Sequence, residues 1–214
     1  MNIISEVLKN SLNYFFSITG DLGIAIILLT ILVKFLLVPI SFKQKISMQK
    51  SQKISLELEK IKEKYKNNKK KLEQELQKHY EKSAKGVFGG FIILLQLPII
   101  YALYHAVLSM DFQVGTILVP WVTNLNMADG AFIIPIIYVM TALSSNILYY
   151  IPFFKISAQA KLSKANIIMT SVMSIIITIK APVAISLYFI ASSLFSFVEE
   201  IVFRIYIRRK EITI

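Results

Sequence analysis

The chain has no cysteine, so it holds neither disulfides nor thiolate metal sites, and cysteine usage carries no information on redox compartment. Histidine is nearly as scarce. His79 and His105 stand 26 positions apart in different segments, which argues against a metal centre or a histidine-based catalytic site. Only seven glycines are present, and none forms the pattern of a phosphate-cradling loop. Acidic residues are the remaining shortage: 13 Asp and Glu face 24 Lys and Arg, a formal net charge of +11.

Hydrocarbon is abundant. Of 214 residues, 55% are hydrophobic, and the mean hydropathy is +0.61. Combined with a basic balance, this composition belongs to a membrane protein rather than to a soluble domain. The apolar residues also come in runs, not in the periodicities of soluble helices or strands. The length would otherwise allow one soluble domain with a large core.

The runs and the Lys/Arg distribution divide the chain. Residues 1–20 place Ile4, Leu8, Leu12, Phe15 and Phe16 at helical spacing, which predicts an external amphipathic helix. A first span follows over 21–42, its apolar stretch running from Leu22 to Ile40. Residues 43–85 are hydrophilic, with 14 Lys against 6 Glu. Two stripes lie in them, Ile54, Leu58, Ile61, Tyr65 and then Leu72, Leu76, Tyr80, separated by a polar "KNNKK". The pattern predicts a cytoplasmic antiparallel helical hairpin whose basic faces stay in water and suit anionic lipid or ribosomal RNA. Lys60, Lys64, Lys69, Lys70 and Lys71 carry that basic surface, with Arg208 and Arg209 near the C-terminus.

A second span is expected over 86–110 and an external loop over 111–130, which has no Lys or Arg and offers Trp121 as an interface anchor. The third span covers 131–154, a basic cytoplasmic loop 155–165, the fourth span 166–179 and the fifth 180–203. A basic cytoplasmic tail takes up 204–214. The resulting architecture is an all-α integral membrane protein with five transmembrane helices, its N-terminus outside and its C-terminus inside. The fourth span is the shortest, but an even count would put the final basic cluster outside.

Several polar residues fall within these spans. Lys34 interrupts "LLTILVKFLLVP", six residues from Ile40 and therefore about 9 Å from the inner end at about 1.5 Å per residue. Snorkelling would reconcile it with lipid; the alternative is a wet cavity. Thr30 lies one turn away on the same face, and Gln96 occupies the second span. Ser171, Ser174 and Thr178 share one face of the fourth span, and Ser193, Ser196 and Glu200 one face of the fifth. Such stripes by themselves often serve only close packing. Together they favour a water-accessible interior, with Lys34 lacking an obvious carboxylate partner at its depth and Glu200 suited to pair with Arg204 at i, i+4.

These residues resemble a known family. "GIAIILLTILVKFLLVPISFKQKISMQKSQ" and "LELEKIKEKYKNNKKKLEQELQKHY" look like the first span and cytoplasmic hairpin of YidC-type membrane protein insertases, relatives of the mitochondrial oxidase-assembly and chloroplast Albino insertases. "GGFIILLQLPIIYALYHAVL" is similar to their second span, "PWVTNLNMAD" to their external loop and "APVAISLYFIASSLFSFVEEIVFR" to their last span. The resemblance implies a non-enzymatic insertase and chaperone of the bacterial plasma membrane. It would pass the hydrophilic segment of a nascent membrane protein through a cytosol-open polar groove and release the apolar segment into lipid. It implies Lys34 as the groove charge, where the family usually has arginine, and Thr30 and Gln96 as polar lining. Ser171, Ser174, Ser193 and Ser196 extend that lining, and Tyr188 and Phe189 match an aromatic pair that contacts substrate helices. The implied partners are nascent membrane proteins, the ribosome, anionic lipids and a Sec-type translocon, with no specific nucleic-acid sequence, cofactor or metal. The chain departs from the family pattern at Lys85-Gly86, at Ile92 and at Pro182-Val183-Ala184-Ile185.

Two other functions compete. A small transporter or channel with Lys34 as an anion site predicts matched repeats in the two halves, which the sequence lacks, and leaves the hairpin without a role. An intramembrane enzyme would need a nucleophile and base at depth, and the sole hint is His105 with Ser109 at i+4.

Overall fold

The computed structural model describes residues 3–66, 68–83, 97, 99–101, 104–105, 115–154, 156 and 164–212. Every regular element among them is helical: α1 (Ile3–Thr19), α2 (Leu22–Lys64), α3 (Lys69–Ser83), α4 (Ile133–Ile147), a short 3-10 turn (Pro152–Phe154), α5 (Lys164–Thr178) and α6 (Val183–Ile212). Two of these helices, α2 and α6 over Val183–Arg209, are long and apolar enough to cross a membrane.

The break between α1 and α2 is written in "TGD". Gly20 adopts a left-handed φ of 66° and its N–H closes on the Phe16 carbonyl at 2.8 Å, which stops α1. Asp21 then takes an extended conformation and its Oδ1 accepts from the Ile24 N–H at 2.9 Å, which starts α2. From there α2 runs for 43 residues, about 64 Å at about 1.5 Å per residue, without a break at Pro39. The apolar stretch expected to be the first span and the first half of the basic hairpin therefore form one continuous helix. After a turn at Tyr65 and Asn68, whose Oδ1 accepts from the Lys71 N–H at 3.2 Å, α3 packs back on α2. The stripe residues Ile54, Leu58, Ile61, Tyr65, Leu72 and Leu76 are all half-buried, whereas Lys60, Lys64, Lys69, Lys70 and Lys71 are exposed.

The main apolar core gathers at the Asp21 end. Leu8 and Leu12 of α1 pack with Leu22, Ala25, Ile26 and Leu29 of α2, Ile134 of α4 and Val183 to Tyr188 of α6. The segment 115–131 closes this end, burying Val119, Val122 and Leu125 in the same core. It also satisfies helix termini, an obligation in a low-dielectric surround. The Leu125 and Met127 carbonyls accept from Ala184 and Val183 at the start of α6, at 3.0 and 2.8 Å. Asp129 accepts from Ala131 and Ile134 at the start of α4, at 3.0 and 2.8 Å, and from the Trp121 indole at 3.0 Å. A smaller cluster, Ile156, Phe203 and Ile207 with Phe42 and Ile46, packs the opposite end.

Most of the expected second span lies outside the described residues; Leu97, Ile99–Tyr101, Tyr104 and His105 are helical. Ile99 and Ile100 pack on the main core. The last helix continues through Arg204 to Ile212, so Arg204 is a helical residue and a buried one.

Candidate functional site: a polar seam between α2 and α6

Between the two apolar clusters, α2 and α6 face each other with polar side chains. Lys34, Leu37, Ser41 and Lys45 follow one another at i, i+3, i+7 and i+11 on α2 and share one face. Tyr188, Ser196 and Glu199 present the matching face of α6. These residues, with Gln44, Ile99 and neighbours, line a cavity of about 220 Å3.

Lys34 is half-buried and its ammonium donates to the Ser196 hydroxyl at 3.5 Å. Glu199 belongs to the same cavity, so a carboxylate does stand near its depth, contrary to the expectation from span arithmetic. That carboxylate is buried and anchored: the Ser41 hydroxyl donates to its Oε1, and the Lys45 ammonium lies 3.9 Å away. Lys45 also donates to Glu200 Oε2 at 3.0 Å. The expected Glu200–Arg204 pair is present at 2.8 Å. Arg204, only 1% exposed, extends its other arm to the Phe154 and Leu148 carbonyls at 3.0 and 3.3 Å, and its guanidinium stacks 4.6 Å from the Tyr149 ring. A second cavity of about 200 Å3 lies beside this network, lined by Gln49, Gln52, Ser145, Asn146, Tyr149 and others.

The remaining sequence-selected residues spread over several places. Thr30 is buried and its hydroxyl donates to the Ile26 carbonyl at 2.6 Å, one turn back in α2. Ser171 does the same to Ile167 at 2.9 Å in α5. Ser174 of α5 is buried and Ser193 of α6 half-buried, and both lie close to Tyr138 of α4, where the three helices pack together. Phe189 stacks on that Tyr138 ring with centroids 5.4 Å apart, while Tyr188 is buried and reaches the Lys34 cavity. Arg208 donates to the Phe153 carbonyl at 2.6 Å, and Arg209 is exposed on the last turns of α6. Gln96 lies outside the described residues.

Ser41, Lys45, Glu199 and Arg204 were not selected from sequence as site residues. The first two could have been found, since they continue the Lys34 face at one-turn steps. The contribution of Glu199 required the packing of α6 on α2.

Comparison with known proteins identifies the family of the chain. Residues 14–210 match the family described as 60Kd inner membrane protein. The chain is similar to the membrane protein insertase YidC of Aquifex aeolicus (strain VF5), with 30% identity over 202 residues, 93% of this chain and 38% of that protein. It is 32% identical over 190 residues to the membrane protein insertase YidC of Clostridium perfringens (strain 13 / Type A), covering 86% of this chain and 79% of the relative. To that of Helicobacter pylori (strain J99 / ATCC 700824) it is 33% identical over 127 residues, 59% of this chain and 23% of the relative. The chain thus spans about two fifths of the Aquifex protein and about four fifths of the Clostridium one. With the match extending over nearly its whole length, this chain is a membrane protein of the 60Kd inner membrane protein family, to which the YidC insertases belong.

Proposed function

We propose that this chain is a membrane protein insertase of the plasma membrane that acts through the polar seam between α2 and α6. The observation that carries the reading is the position of that seam. Apolar packing and the 115–131 segment fill the Asp21 end of the bundle, while Lys34, Ser41, Lys45 and Glu199 collect toward the end that continues into the basic hairpin. With five spans, an outside N-terminus and an inside C-terminus, the hairpin and the Ser41 end face the cytosol. A groove open on that side and closed on the other can receive a hydrophilic segment without breaching the membrane.

The hairpin lysines, with Arg208 and Arg209, meet the ribosome or anionic headgroups and bring the nascent chain to the membrane. Its hydrophilic segment enters the seam, where the Lys34 charge attracts acidic groups. At an effective dielectric near 20, two unit charges about 4 Å apart attract by about 4 kcal/mol, far more than in bulk water. Thr30, Gln96 and the serines of α5 and α6 supply polar lining. The apolar segment passes along Tyr188 and Phe189 into lipid, driven by about 25 cal/mol per Å2 of apolar surface removed from water. Transfer on these terms needs neither nucleotide nor catalytic group, and it is compatible with action alone or beside a Sec-type translocon.

The test is complementation. In cells depleted of their own insertase, this protein restores insertion of a small membrane protein with an acidic external tail; no restoration would remove the reading. Lys34→Arg retains that activity, and Lys34→Ala loses it for acidic tails. Normal insertion of all substrates by Lys34→Ala would reduce Lys34 to a snorkelling residue.

A further inference from the structure

Lys45 lies in the wall that the two cavities share. It lines the Lys34 cavity and also the amide-lined one beside Gln49, Gln52 and Asn146. Its two carboxylate partners are divided between them: Glu199 belongs to the Lys34 cavity, and Glu200 to the other. The ammonium sits 3.9 Å from the first and 3.0 Å from the second, with its side chain 18% exposed. It lies 11 residues beyond Lys34 on the same face, about 16 Å along the helix axis.

We propose that Lys45 is a second cationic station for the acidic hydrophilic segment of a substrate, and that Glu199 and Glu200 hold its place until a substrate carboxylate takes over. The inference rests on the insertase reading above. A partly exposed ammonium between two carboxylates can exchange one of them for an incoming carboxylate without losing charge compensation, whereas a bare buried ammonium could not wait there unpaired. The amide side chains on one side of Lys45 offer donors and acceptors to an extended polar backbone. The Lys34 cavity on the other side holds two lysines and one glutamate, so it keeps a net positive charge. An acidic segment thus meets Lys45 first and Lys34 second, and Glu199 lowers the charge that it meets at the inner station.

Proteoliposomes containing the full-length protein test this with two substrates that differ only in a short external tail, acidic or neutral. Lys45→Gln lowers the ratio of acidic-tail to neutral-tail insertion about tenfold, a fraction of the attraction between two contacting charges in a partly screened site, and Lys45→Arg restores it. Lys45→Gln combined with Glu199→Gln removes the carboxylate that Lys45 alone had paired among the charged side chains, while Glu200 keeps its pair with Arg204, so that a folding defect is avoided; the ratio stays low in that variant. Equal loss of both substrates in all Lys45 variants, or an unchanged ratio in the double variant, would show Lys45 to be a structural tie and overturn the proposal. If the unaltered protein inserts neither substrate, the insertase reading falls and takes this inference with it.

Discussion

Asp21 is a buried carboxylate, 5% exposed, with donors on three sides. It accepts from Ile24 N–H at the start of α2, from the Thr116 hydroxyl at 2.6 Å and from the Ile117 N–H at 2.7 Å. One side chain therefore caps α2 and fastens the 115–131 segment over it. Gly23 lets the two approach: a Cβ there would land on the Thr116 hydroxyl, which Asp21 holds in place. Asp21→Ala strands three donors and is expected to cost about 2–4 kcal/mol, combining a lost cap with lost hydrogen bonds to a charged acceptor. Thermal unfolding in detergent micelles measures it, and a change below about 0.5 kcal/mol, the scale of ordinary surface substitutions, would contradict the clamp. Half of this was legible. "TGD" announces a helix stop and a cap, but nothing local in Thr116 and Ile117 indicates that they find Asp21 about 95 residues away.

At the scale of elements, α6 is held differently at its two ends. Its start is received by carbonyls of the 115–131 segment, and its later turns are pinned by Arg204 to the chain between α4 and α5. The i, i+4 Glu200–Arg204 pair is visible in sequence, and an exposed pair of that kind contributes only a few tenths of a kcal/mol. Here the guanidinium is buried and also serves two backbone carbonyls and the Tyr149 face, which a lysine cannot do together. Arg204→Lys is expected to destabilise by about 2–4 kcal/mol through the lost carbonyl bonds. Equal stability of the two proteins in a denaturant or thermal series would mean that the pair is a surface decoration. The continuity of α2 through Pro39 belongs to this scale as well. Composition changes sharply at Ser41, from lipid-like to basic, yet the backbone does not change with it, because the helix-forming residues of the hairpin simply extend the rod.

For the whole molecule, the apolar surface has two destinations. One part fills the core at the Asp21 end; the other stays outward, including Phe35 and Leu36, each 68% exposed, and Met169, Ile176 and Val198. Such outward faces on the apolar helices are what a bilayer would solvate. The lack of cysteine makes the sidedness directly measurable, since any introduced thiol is unique. A membrane-impermeant maleimide added to intact cells is expected to label Met127→Cys in the 115–131 segment and to leave Lys70→Cys in the hairpin unlabelled until the membrane is opened. Labelling of both positions from the same side would overturn the five-span arrangement.

The membrane character of the chain, its basic hairpin and the anomaly of Lys34 follow from the sequence alone, because they depend on composition, run length and one-turn spacing, which are local quantities. Which polar residues become neighbours was left to tertiary structure. Ser174 and Ser193 come close to Tyr138, Ser196 meets Lys34, and Glu199 reaches Ser41 and Lys45 only because α5 packs against α4, and α6 against α2 and α4, in one particular rotation. A helical stripe specifies a face but not its partner. The partner is decided by the joint packing of every helix and by the demand that each polar group in a low-dielectric interior be satisfied.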